Sequence, residues 1–169
     1  EGHGAAGAKV PSETLSPGPG MYEVDGETCW WRGFLSLCGE ISHSVPLSDI
    51  AGICVSSVCG SFIPVDGQGR QTHNAILYGI DRRAAKQAEE LNEKYGPQLA
   101  ARLGGPFTTH SVFPKILWLK ERCPDVFHRT AFFLEPNNFV TFRLTGERAW
   151  DFPSAAGTTL VDRPALEWP

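Results

Sequence analysis

The sequence predicts a mixed α/β or α+β layer structure, formed as one domain. Short apolar runs rich in β-branched residues, separated by Gly and Pro turns, predict strands within residues 50–79. From Arg82 onward apolar residues recur at steps of three and four, which predicts helices. The chain has 169 residues, of which 41% are hydrophobic and 20% charged, and this suffices for one domain with its own core.

The chain opens with residues 1–20, whose Gly, Pro, Ala and Ser content predicts an irregular lead-in, and the domain itself is expected over residues 21–169. Residues 21–24 suit a short extended segment. Asp25 predicts the N-cap of an amphipathic helix over about 26–43, because apolar side chains follow it at helical spacing.

Strands are predicted next. Residues 50–58 form a continuous apolar run, which is typical of a strand covered on both faces. Residues 61–65 and 75–79 give a second and a third strand. The turn residues 66–69, Asp-Gly-Gln-Gly, predict a hairpin because glycine accepts the positive φ that such turns need. Pro64 lacks an N–H donor, which places the second strand near a sheet edge.

Helical spacing dominates the second half of the chain. The predicted elements are helices over 84–95, ended by Gly96-Pro97, over 98–103 and over 114–122, ended by Cys123-Pro124, then a further turn opened by Pro124, a strand over 131–134 and a helix over 136–144. We find no internal repeat and no heptad pattern in the sequence.

Charge and hydropathy exclude several classes of function. The net charge of −4 gives no broad attraction to nucleic acid or to an anionic membrane. No run of about 18 apolar residues is present, so no membrane span is predicted. The first residues have neither the basic nor the apolar region of a secretory signal, and the lack of an initiator Met indicates a chain that begins partway through a longer one.

The five cysteines are odd in number and lack the spacing of a disulfide framework, which predicts reduced thiols in a cytoplasmic protein. A metal site is the disfavoured alternative, because no pair of histidines stands at a zinc-like interval beside Cys54 and Cys59. The five histidines lie singly, which favours surface or hydrogen-bonded structural roles for His3, His43, His73, His110 and His128.

Spacing alone identifies a few polar candidates but no complete catalytic signature, since the phosphate-loop, nucleophile-elbow, zinc-protease and dinucleotide motifs are all missing from the sequence. Asp81 and Arg83 follow a strand and suit a hydroxyl-rich or anionic ligand; alternatively, Asp81 caps the next helix. Gly60 allows a close backbone approach to a ligand or forms a tight turn. Lys115 opens a helix, where it faces either a ligand or solvent.

Five stretches resemble, in order, the motifs of the first domain of FGGY-type carbohydrate kinases, with xylulokinase-like members closest. They are PGPGMYEVDGETCWW, ICVSSVCGSFIPVD, AILYGIDRRA, PKILWLKERCPDVF and FRLTGERAWDFPSAAGTTLVD. The resemblance implies part of a ribonuclease H-like/actin-like ATPase domain, a mixed sheet with flanking helices. The implied reaction is ATP-dependent phosphorylation of a hydroxyl of a ketose, polyol or related sugar, with Mg²⁺ as metal and an Asp as general base.

The same resemblance implies what this chain lacks. The family's D-x-G-T-x-S segment, which approaches the ATP phosphates, is not in the sequence, and its G-G-x-D segment with the catalytic Asp is expected beyond Pro169. Asp151 and Asp162 belong to other motifs of the family. We therefore expect a fragment that supplies part of the sugar-binding wall and is inactive alone; the alternative is a non-catalytic sugar-sensing or partner-binding module. The implied partner is a small sugar or polyol, with neither nucleic acid nor membrane, and a homodimer is left open.

Sugar-binding positions carry over residue by residue. Val58 and Cys59 stand where xylulokinase-like members have a Met-His pair that touches the sugar, and a thiol does not reproduce the hydrogen bonds of His. Asp81 and Arg83 match the family's D-x-R beside the sugar pocket, with one extra residue before them. His110 falls where polyol-specific relatives have an aromatic that contacts substrate. The departure at Cys59 leaves the individual sugar unnamed.

Overall fold

The computed structural model describes residues 3–103, 105–151 and 155. Its first sheet begins with β1, Leu15–Gly18, and β2, Met21–Val24, which form an antiparallel hairpin. Strand β4, Ala75–Ile76, pairs with the other edge of β2, also antiparallel, with Glu23 opposite Ile76. The extended segment predicted at 21–24 is confirmed, whereas β1 lies inside the lead-in that was expected to be irregular.

The second sheet has two described strands, β3, Ile63–Val65, and β5, Phe132–Leu134, which pair antiparallel. A single bridge between Phe62 and Ile76 connects this pair to the first sheet. The hairpin turn predicted at 66–69 forms, since Gly69 N donates to Asp66 O at 2.9 Å. Strand β3 nevertheless pairs along its whole length with β5, which lies far along the chain. Only isolated bridges join β3 and the residue before it to the segment after the turn.

Helices cover both sheets. They are a π-helical turn, Glu27–Arg32, that continues into α1, Gly33–Ser42; a 3₁₀ turn, Leu47–Asp49; α2, Ala85–Leu103; α3, Val112–Arg122; α4, Pro124–Arg129; and α5, Pro136–Thr145. Asp25 caps the first of them as predicted, because its Oδ1 accepts from Thr28 N at 2.7 Å. None of the described helices is long and apolar enough to cross a membrane.

The core lies where these helices meet the two sheets. One cluster joins β2, β3, β4, β5 and α5, with Ile63, Val65 and Phe139 fully buried. A second cluster packs α3 against Phe62 and Ile76, and a third lies between α2 and α3. The strands predicted at 61–65, 75–79 and 131–134 and the helices predicted at 26–43, 114–122 and 136–144 are confirmed, with each end within three residues of its prediction.

One helix prediction is wrong in its boundary. Gly96-Pro97 was expected to end a helix, but α2 runs through both residues to Leu103. Proline removes its own N–H donor and crowds the carbonyl of the residue four before it, which costs about 3 kcal/mol inside a helix, yet this helix continues. The Gly96-Pro97 pair therefore does not end α2.

The strand predicted at 50–58 does not form. The segment is irregular and carries exposed apolar side chains, with Ile53 56% and Val58 62% exposed. An apolar run becomes a strand only when another backbone satisfies its N–H and C=O groups, and none of the described residues pairs with it. The apolar character was read correctly, but the pairing that it requires is not supplied by the described part of the chain.

This exposed run predicts self-association of the 169-residue chain, because apolar side chains and unpaired backbone invite edge-to-edge contact. We expect the mean mass from static light scattering to rise with concentration. Replacing exposed Ile53 with Glu should reduce the rise without a cost in folding. A constant monomer mass at high concentration would contradict the prediction.

Candidate functional site

Three ionised side chains form a buried network beside the first sheet. Arg83, with 1% of its side chain exposed, contacts Glu23 Oε1 through Nη1 at 2.7 Å and Asp81 Oδ2 through Nη2 at 2.8 Å. The face of its guanidinium lies 4.8 Å from the ring centre of Trp118 on α3. Buried charges persist only when they are paired and hydrogen-bonded, and here Arg83 donates to Asp81 through Nε and to Glu23 through Nη1.

Asp81 holds two segments of the chain together. Its Oδ2 accepts from Tyr22 N in β2 at 2.7 Å, and its Oδ1 accepts from Arg83 N at 3.1 Å. The second bond caps the turn that leads into α2, so the helix-cap alternative describes part of its role. The described bonds of Asp81 and Arg83 all run inside the protein, and the role of both residues beside a sugar stays a prediction.

Lys115 is buried on the inner face of α3. Its side chain has no exposed surface, and its Nζ donates to Leu77 O at 2.8 Å. The pKa of Lys115 is lowered to about 8, chiefly by burial; the nearby Asp81 carboxylate opposes this shift, and the charge of Arg83 adds to it. At pH 7 the ammonium form therefore prevails. Neither alternative drawn from the sequence is right, because the side chain reaches neither solvent nor an open surface.

Two residues that the sequence singled out as candidates for ligand contact, Gly60 and His110, both lie against Tyr78. Gly60 has a φ of +89°, and a Cβ built on it would lie 2.6 Å from Cδ2 of Tyr78. The ring of Tyr78 lies 5.2 Å from the ring of His110, centre to centre. Tyr78 is 44% exposed, and His110 is also exposed. Hereafter the aromatic corner means Gly60, Tyr78 and His110.

The close approach that Gly60 allows is thus to Tyr78, within the protein. Sequence analysis did not single out Tyr78. The available signal was an aromatic residue at the end of a predicted strand, three residues before Asp81. An aromatic there is usually core, and only the structure shows that its ring is half open to solvent.

Cys59 is tied to a carboxylate that sequence analysis also missed. The fully buried Glu135, which precedes α5, accepts from Gly60 N at 2.8 Å and from Cys59 Sγ at 3.5 Å through the same Oε1. Burial, and next the charge of Glu135, raise the pKa of the Cys59 thiol to about 11. The thiol stays protonated at neutral pH and donates to the carboxylate. Its neighbour Val58 is exposed.

This pKa gives a direct test. Iodoacetamide reacts with thiolates, so at pH 8 the exposed Cys54 should be alkylated well before the half-buried Cys59. Mass spectrometry of peptides from the native chain would measure both rates, and the same reaction in urea should remove the difference. Equal rates in the native chain would show that Cys59 is neither shielded nor held protonated.

An apolar groove of about 400 Å³ adjoins the aromatic corner. It lies between α1, the irregular segment before Cys59 and the start of α5, and its walls include Trp30, Phe34, Val58 and Pro136. Val58 therefore lines this groove, next to the corner. Among residues 3–103, 105–151 and 155, no group of three or more His, Cys, Asp and Glu side chains is placed to hold a metal ion.

The predicted site residues thus fall into two places. Cys59 precedes Gly60, which lies against Tyr78, and the Tyr78 ring lies beside His110. Asp81 and Arg83 form a separate buried pair. Asp151 accepts from Asn137 Nδ2 at 3.1 Å at the start of α5. Asp162 lies outside the described residues.

Comparisons with known proteins identify relatives of the whole chain. The model of the FGGY family of carbohydrate kinases, N-terminal domain, matches residues 1–169. The xylulose kinase of Bacillus subtilis (strain 168) is 34% identical over 167 residues, which is 95% of this chain and 33% of that protein. The glycerol kinase of Thermococcus gammatolerans is 28% identical over 157 residues, or 90% of this chain and 32% of that protein.

Solved structures agree with these sequences. The xylulose kinase from Rhodospirillum rubrum superposes with a TM-score of 0.90 at 26% identity, covering 98% of this chain and 35% of that one. The corresponding kinase from Brucella ovis gives a TM-score of 0.86 at 27% identity, covering 94% and 32%. The expected actin-like ATPase fold is confirmed by these neighbours. The chain spans about a third of the length of the relatives it matches.

Proposed function

The chain belongs to the FGGY family of carbohydrate kinases, and from that premise we propose that the whole protein transfers the γ-phosphoryl group of ATP to a hydroxyl of a ketose, polyol or related sugar. The observation that carries the proposal is the match of the family's N-terminal-domain model to residues 1–169. Relatives named as xylulose kinase and glycerol kinase support a ketose and a polyol as the two substrate classes to test.

In this proposal the chain contributes part of the sugar-binding wall. The aromatic corner supplies an exposed ring face, and such faces suit the C–H edge of a sugar while nearby polar groups bind its hydroxyls. Cys59 and Val58 border the corner, as the resemblance implies. Asp81 and Arg83 support the wall from behind, because their network fixes the chain that follows Tyr78.

Phosphoryl transfer also needs parts that we assign to the remainder of the protein. Mg²⁺ bound with ATP would offset the phosphate charge, and an Asp would accept the hydroxyl proton. We propose that this chain contributes to binding of the acceptor and is inactive alone, since it spans about a third of the length of the kinases it matches. A cytoplasmic location is part of the proposal, since the odd number and the spacing of the cysteines predict reduced thiols.

A coupled assay of ADP release over a panel of ketoses, polyols and sugar acids tests the proposal. The full-length protein should turn over at least one of them, and the 169-residue chain should turn over none. No turnover by the full-length protein with any acceptor would refute the kinase proposal. Robust turnover by the short chain would refute its inactivity.

The flanking DNA offers a second test. An in-frame D-x-G-T-x-S upstream and an in-frame G-G-x-D downstream would provide the parts assigned elsewhere. The alternative of a non-catalytic sensing module has no support in the comparisons, because the relatives named above are kinases.

A further inference from the structure

The peptide bond between Leu77 and Tyr78 is held at both of its polar atoms. Its carbonyl oxygen accepts from Lys115 Nζ at 2.8 Å, and its N–H donates to Ser61 Oγ at 2.9 Å. Both partner side chains are buried, Lys115 completely and Ser61 with 5% exposed. A peptide plane bonded on both sides cannot rotate without losing a hydrogen bond. The backbone of Tyr78 is therefore fixed while its ring stays half exposed.

Lys115 is an unusual residue for this position. Lysine is almost never fully buried without a partner, because removing its ammonium group from water is costly. Its neighbours on the same face of α3, Val112 and Leu119, are apolar and buried. The one described hydrogen bond of the ammonium group goes to the backbone of the residue before Tyr78. A bond from an ionised donor is stronger than one between neutral groups, so it suits the fixing of a backbone position.

The charges around Lys115 are also defined. Asp81 lies on the segment after β4 and favours the ammonium form, while Arg83 opposes it. Glu23 of β2 balances Arg83 through their ion pair. Lys115 is therefore close to the charges of the buried network, and its hydrogen bond to Leu77 O connects it to the residue before Tyr78.

We propose that Lys115 is a positioning residue, which fixes the ring of Tyr78 for sugar binding by holding the carbonyl of the Leu77–Tyr78 peptide bond from inside α3. The inference rests on the proposed function. Lys115 touches neither sugar nor ATP in this proposal and acts only through Tyr78.

Kinetics of the full-length protein test it. Lys115→Met keeps the length of the side chain but removes its donor, and we expect the KM for sugar to rise about tenfold while the KM for ATP stays within about twofold. Ser61→Ala removes the acceptor of the Tyr78 N–H and should raise the same KM. In a Tyr78→Ala background, Lys115→Met should change the KM for sugar by less than about twofold, since coupled residues are not additive.

Two controls lie on the same helix. Lys120→Met removes an exposed lysine and should change neither KM. Leu119→Ala destabilises the core without touching the Leu77–Tyr78 peptide, so it should leave the KM for sugar unchanged. Hydrogen exchange supplies a readout without sugar: the Tyr78 amide should exchange at least about tenfold faster in Lys115→Met than in Leu119→Ala, compared at equal global stability.

The outcomes separate the two proposals. An active wild-type protein with an unchanged KM for sugar in Lys115→Met, or the same change with and without Tyr78, overturns the positioning role alone. Unchanged exchange at Tyr78 also overturns it. A wild-type protein that phosphorylates no sugar overturns the kinase proposal and this inference with it.

Discussion

Replacing Asp81 with alanine should lower the free energy of unfolding by about 3–5 kcal/mol, the cost of removing one partner from a buried network of charges. Asp81 is fully buried and binds both Arg83 and the Tyr22 N–H. Its removal takes one of two carboxylates away from a guanidinium of which only 1% is exposed, so that Glu23 alone pairs with it, and it also leaves the Tyr22 N–H of β2 without its acceptor. Small domains are stable by only about 5–15 kcal/mol, so this loss is a large share of the total stability.

Urea denaturation followed by tryptophan fluorescence measures the loss. Glu90→Ala is a matched control, because Glu90 pairs with Lys86 at 3.1 Å while both side chains stay more than half exposed. An exposed pair of this kind contributes at most about 1 kcal/mol. Equal midpoints for the two variants would show that the buried network does not stabilise the domain.

The second large effect is expected at Gly60. In Gly60→Ala the new Cβ would lie 2.6 Å from Cδ2 of Tyr78, at a residue whose φ is +89°. The Tyr78 ring must move by a sizeable fraction of an ångström, and a misplacement of about 1 Å at a binding wall can cost about 100-fold in rate. We therefore expect kcat/KM for sugar in the full-length protein to fall about 100-fold.

Gly146→Ala separates strain from displacement. Gly146 follows α5 with a φ of +77°, and a Cβ there meets nothing within 4 Å. Both variants should lose about 1–2 kcal/mol of stability from the left-handed backbone, but only Gly60→Ala should lose sugar turnover. If the two variants lose turnover equally, the aromatic corner does not contact the sugar.

The sequence predicted well the helices whose spacing and end signals lie within the element itself. Helix α3 and helix α5 carry their spacing and their stop signals within a dozen residues, so their bounds were close. The segment at 50–58 has the composition of a strand, but strand formation depends on a second backbone that spacing within the segment does not describe.

Site residues divided in the same way. Asp81 and Arg83 were found because two polar residues follow an apolar strand, whereas their burial depends on Glu23, 60 residues before Arg83. Glu135 was missed because its contact with Gly60 spans 75 residues. Lys115 was misjudged because helical spacing alone did not show that its position on α3 is an inner one. Tertiary partners, and not local preference, decide the surroundings of these side chains.

The separation of 60 residues between Glu23 and Arg83 also delays the formation of their ion pair during synthesis on the ribosome. The β1–β2 hairpin leaves the exit tunnel before Arg83, so the Glu23 carboxylate must wait for the Arg83 guanidinium, 60 residues later. At about 5–20 residues per second, that wait lasts roughly 3–12 s, far longer than a hairpin needs to form. During this interval the nascent chain carries an unpaired β2 edge and the apolar residues 50–58, the two features that a ribosome-associated chaperone would meet first.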